Sequence, residues 1–128
     1  MRQRIILPSF LRSISMSRVS LPARFLFIML WLLADDHGRL RGAAMYILGE
    51  VFSLDKQYTA WEIDGWLREL QREECIDIYS YGGLTYIVIV NWKKYQHVQH
   101  PSPSQLPGHT GGGGPQRSLK LELRRTRH

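Results

Sequence analysis

Few residues in this chain are of types and spacings that could do chemistry. His97 and His100 have a metal-like spacing, but no cysteine or acid cluster accompanies them. Zinc takes four protein ligands, or three and a water. Asp35-Asp36 is a carboxylate pair, which the end of the preceding helix explains better than acid–base work does. Cys75 is the single cysteine and opens an alternating apolar run, so it reads as a small core residue. One cysteine forms no disulfide within the chain, which fits the reducing cytoplasm. Gly111–Gly114 lacks the Lys-Ser/Thr of a phosphate-binding loop. No nucleophile stands with a base. The residues imply a protein that is not an enzyme and that calls for no cofactor and no metal.

The chemistry that remains is cationic and aromatic. The 128 residues carry a net charge of +6, unevenly spread. Residues 1–24 hold five arginines and no acid, residues 25–91 are net −5, and residues 92–128 are net +6. Basic flanks suit a polyanion, either nucleic acid or a membrane surface; the plainer reading is that they confer solubility. The run Phe25–Ala34 is the most apolar stretch, but Arg24 and Asp35-Asp36 bound it well short of the roughly 20 residues of a membrane span. It reads as a buried core helix.

The elements that must position these side chains follow from period and punctuation. Ser20-Leu21-Pro22 starts a helix, with serine as N-cap and proline in the first turn, where its missing N–H costs nothing. That helix ends near Ala34, with Gly38 suited to a left-handed C-terminal position. Arg39-Leu40-Arg41 alternates as a short strand. Ala44, Ile47, Leu48 and Val51 form the apolar stripe of a helix over Ala43–Phe52. Thr59 with Glu62 makes a capping box for a helix over Thr59–Glu74, whose stripe is Ile63, Trp66, Leu67 and Leu70. The period then falls to two. Cys75–Ser80 and Leu84–Asn91 are strands around the turn Tyr81-Gly82-Gly83, a hairpin. The fold class expected is mainly α with a small β-hairpin (α+β), in the order α-β-α-α-β-β. That is the order of a winged helix-turn-helix. Residues 1–20 read as a basic N-terminal arm, 21–95 as the winged-helix domain, and 96–128 as a flexible Pro/Gly-rich basic tail.

In a helix-turn-helix the second helix of the motif enters the major groove. With its stripe facing inward, the helix Thr59–Glu74 points Trp61, Gly65, Arg68 and Arg72 directly away, at about 100° per residue. Two arginines, a ring and a glycine that permits close approach suit guanine edges or phosphates. The alternative is an ordinary solvated face, with Asp64 pairing with Arg68 at i, i+4. Sequence-independent contacts would come from Arg2, Arg4, Arg12 and Arg18 on the arm, from Tyr79 and Tyr81 near the hairpin tip, and from Lys93 and Lys94. Trp92 reads as a packing residue.

Four strings in order, Arg4–Phe10 (RIILPSF), Leu21–Ala34 (LPARFLFIMLWLLA), Asp35–Leu40 (DDHGRL) and Asn91–Pro107 (NWKKYQHVQHPSPSQLP), resemble the N-terminal winged-helix domain of phage replication-initiation, or replisome-organiser, proteins. The resemblance covers about residues 4–107. It departs at Leu7, where the family commonly has a basic residue, and at Val90, where it often has proline. It implies a DNA-binding protein of replication initiation in the cytoplasm of a bacterial host, with double-stranded DNA and host or phage replication proteins as partners. The acidic middle and the abundant aromatics also fit a protein-interaction winged helix, with a homodimer among its arrangements, or a transcriptional regulator.

Overall fold

The computed structural model describes residues 2–98 and 101–108. It is an α+β fold. A 3-10 turn at Pro8–Arg12 and a short helix α1 (Ile14–Ser17) precede α2 (Leu21–Leu33), β1 (Arg39–Arg41), α3 (Ala44–Val51), α4 (Ala60–Arg72), β2 (Ile76–Tyr81), β3 (Leu84–Ile89) and α5 (Trp92–Tyr95). The three strands form one antiparallel sheet in the order β1-β3-β2, so the first strand pairs with the last.

Local chemistry sets these boundaries. The Ser20 side chain accepts from the Ala23 amide and caps α2. Thr59 and Glu62 complete a reciprocal capping box on α4. At the other end of α4, the Cys75 amide donates to Leu70 O and the Glu74 amide to Gln71 O, a Schellman closure. Gly82 and Gly83, at φ +59° and +81°, make the two-residue hairpin turn, and Tyr81 belongs to β2 rather than to the turn. Gly38 is left-handed as expected, at φ +79°, but it does not cap α2. It closes a turn on Asp35, and its α-carbon lies against Trp92, where an added methyl would sit 2.8 Å from the ring.

The core lies between the helices and one face of the sheet. Leu26, Phe27 and Leu30 of α2, Ile47 of α3, and Ile63, Leu67 and Leu70 of α4 meet Leu40, Ile76, Ile87 and Ile89 of the sheet. The opposite sheet face, unlike that of a one-sided hairpin, is also covered: Tyr79 and Tyr86 stack there, and the Tyr79 hydroxyl donates to Pro107 O at 2.8 Å.

Two segments differ from expectation. Residues 2–20 are not a free arm: Met16 and Val19 are buried, and Phe10 packs on Phe27 and Trp31. Of the expected tail, residues 96–98 and 101–108 pack on the domain. Gln96 exchanges two hydrogen bonds with the Ile5 backbone, the Ser102 amide donates to Asp36, and Ser104 bonds Asp35. Long-range side-chain bonds hold both segments, and such bonds leave no periodic trace in sequence. Residues 109–128 of the expected tail, and His100, lie outside the described residues. Among the described residues no helix is long and apolar enough to cross a membrane.

Candidate functional site

Helix α4 sorts its residues by face. Ile63, Leu67 and Leu70 are fully buried and Trp66 half-buried, so the ridge Trp61, Gly65, Arg68 and Arg72 stands in solvent. Trp61 is 84% exposed, far above what an indole in a packing role shows. A methyl added at Gly65 would meet nothing within 4 Å. The Arg68 and Arg72 side chains are 75% and 62% exposed.

The acids of the same helix are engaged. Asp64 accepts from Arg68 Nε at 2.8 Å, the i, i+4 pair weighed from the sequence. Glu73 lies 3.8 Å from Arg72 and 3.7 Å from Arg18, so it joins α4 to the N-terminal segment. Glu69 accepts from the Ser20 amide and hydroxyl, at 2.7 and 2.9 Å, and fixes the start of α2 on α4. Exposed pairs such as Asp64–Arg68 are worth roughly 0–1 kcal/mol, so the guanidinium exchanges one anion for another at little cost. The ridge can therefore present two guanidiniums and an indole to a polyanion or to base edges.

The other expected contacts are scattered. Arg4 is a correction: its side chain is only 4% exposed. It donates to Trp31 O at 3.0 Å, Ala34 O at 2.9 Å and Asp35 O at 3.3 Å, lies 3.6 Å from Asp36, and stacks 4.9 Å above the Trp92 ring. A guanidinium so enclosed reaches no outside phosphate. Tyr79, placed at the hairpin tip from the sequence, is likewise buried, and Tyr81 alone of the two faces solvent there. Trp92 is buried as read, its indole N–H donating to Asp36 O. Lys93 and Lys94 are exposed on α5. Lys94 and Arg12 come together on the wall of one cavity, whereas Lys93 lines another beside His37 and His97. Arg18 is exposed and shares Glu73 with Arg72.

Two residues were missed. Arg39 and Arg41 flank the buried Leu40 on β1 and so share the face away from the core. The Arg-Leu-Arg alternation carried that signal. Among the described residues no three His, Cys, Asp or Glu side chains are grouped to hold a metal ion. Cys75 is buried, and desolvation together with nearby Glu73 pushes its thiol up to about 11, away from nucleophilic use at neutral pH.

No family model, no curated protein and no solved structure matches this chain.

Proposed function

We propose that the chain is a non-enzymatic winged-helix protein that binds duplex DNA in phage replication initiation, in the cytoplasm of a bacterial host. The observation that carries this reading is the α4 ridge, where Trp61, Arg68 and Arg72 are largely exposed opposite a buried stripe. The order helix, strand, helix, helix, strand, strand, with β1 on the far side of β3 from β2, supports a winged helix. In that arrangement α4 enters the major groove, Tyr81 at the hairpin tip approaches the backbone, and Arg18 and Lys93 add phosphate contacts. The replication role rests on the family resemblance of residues 4–107. The test is an anisotropy titration of labelled duplex DNA across salt concentrations. Arg68→Ala/Arg72→Ala is expected to weaken binding by at least roughly 30-fold, since it removes two base contacts at about 1–3 kcal/mol each. Absence of binding by the unaltered chain at low salt sinks the reading.

A second reading is favoured by one feature. An apolar cleft of about 410 Å³ lies among Leu21, Phe25, Phe52 and Trp66, and Leu21 and Phe25 are largely exposed beside it. A protein partner, replication protein or second copy, would dock on such a surface. Phe25→Asp that abolishes binding of a partner while leaving duplex DNA binding intact would favour it.

A further inference from the structure

The two left-handed residues other than glycine, among those described, are Glu74 at φ +60° and Asn91 at φ +59°. They lie far apart in sequence, yet both line one cavity of about 480 Å³ between the N-terminal segment, the end of α4 and the start of α5. The backbone bond from the Val90 amide to Cys75 O holds them side by side. Glu74 occupies the position after α4 where a Schellman closure favours glycine. A glutamate standing there at a conformational cost points to work for its carboxylate.

The rest of the wall has a consistent chemistry. Arg12 and Lys94 supply two cations, and the hydroxyls of Ser9 and Ser13 supply neutral hydrogen-bonding groups. Glu73 also lines the cavity, but Arg18 and Arg72 already face it. Phe10 and Tyr95 offer half-buried rings. Trp31, also on the wall, is 1% exposed, and its indole N–H is the sole buried side-chain polar group, among the described residues, with no hydrogen-bond partner. An unmet buried donor is costly, by roughly the desolvation of that group, unless something accepts from it. The volume falls in the range of about 300–1,000 Å³ that small-molecule sites occupy.

We propose that this cavity binds a small aromatic anion of the size and class of a nucleoside monophosphate. Arg12 and Lys94 hold the phosphate, Phe10 and Tyr95 face the ring, and Glu74 accepts from its hydroxyl or amino groups. This site is separate from the α4 ridge and does not rest on the DNA-binding reading.

The experiment is a ¹H–¹⁵N titration of the full chain with AMP, following the Trp31 indole resonance, assigned through its contacts with Phe10 and Tyr95. A saturable shift is expected at millimolar or lower AMP, with adenosine and inorganic phosphate each weaker. Arg12→Ala/Lys94→Ala, two surface changes, is expected to weaken AMP binding at least tenfold. Glu74→Gly separates binding from folding: it should raise the melting temperature by relieving the backbone and still weaken AMP binding several-fold. No saturable shift with AMP overturns the proposal. So does a shift indifferent to Arg12 and Lys94, or a shift produced by duplex DNA and not by AMP.

Discussion

Arg4 shows how far one side chain's role depends on where the chain puts it. By type and position it is a cation in a basic flank, but its guanidinium donates to the carbonyls that α2 leaves unmet at its C-terminal end. It also faces Asp36 and the Trp92 ring. Removing it leaves carbonyls and part of a carboxylate network unsatisfied. Arg4→Ala is expected to cost about 2–4 kcal/mol in urea unfolding, while DNA affinity per folded molecule stays unchanged. Arg4→Lys should recover little, since one ammonium cannot span three carbonyls. Asp36 gives the matching pH dependence. The Ser102 amide, against the opposing effect of burial, and then Arg2 and Arg4 hold its carboxyl below the usual carboxylate value. A depressed folded pKa means the unfolded chain takes up the proton first as pH falls. The stability from Asp36 is therefore complete above about pH 5 and is lost progressively as pH falls from there through the unfolded value near 4 and on through the lower folded value. Urea midpoints between about pH 6 and pH 3 should fall more steeply for the unaltered chain than for Asp36→Asn.

Elements were legible where their signal is local. Ser20, Thr59 with Glu62, the glycine pair and the Arg-Leu-Arg alternation placed α2, α4, the hairpin and β1 to within a residue or two. The ridge of α4 was legible for the same reason, because an apolar stripe at i, i+3, i+4, i+7 leaves one direction for the rest. The segments 2–20 and 96–108 were not, since Gln96–Ile5, Ser102–Asp36 and Tyr79–Pro107 join residues whose order along the chain carries no period. Residues of the N-terminal segment, the end of α2 and the segment after α5 meet at that junction, around Asp35 and Asp36. Gly65 offers a test at this scale. A glycine in mid-helix with open space around it costs stability, so Gly65→Ala should stabilise the chain by about 0.5–1 kcal/mol. If the ridge meets a groove, bulkier Gly65→Leu should weaken duplex binding severalfold without unfolding the chain, as circular dichroism would report. Unchanged affinity for both variants removes Gly65 from the interface.

The whole molecule is a basic chain around an acidic middle, and this limits how it can hold a polyanion. Residues 25–91 are net −5, and Asp64 and Glu73 sit beside the two ridge arginines. Arg4 is withdrawn into the fold. A contact set of Arg18, Arg68, Arg72 and Lys93 amounts to few phosphates, each contributing about −0.9 to the slope of log affinity against log salt. Binding through the ridge and its neighbours should therefore show a shallow slope, between about −2 and −4, and Arg68→Ala/Arg72→Ala should make it shallower still. Residues 109–128 add five further cations, Arg117, Lys120, Arg124, Arg125 and Arg127. If they carry the affinity, the slope should be near about −4.5, steeper than about −4, and collapse on truncation after Gly108, while the two ridge arginines are lost with little effect. The same titration series on the full chain, the truncated chain and the double variant separates a folded reading head from a basic tail that holds any nucleic acid.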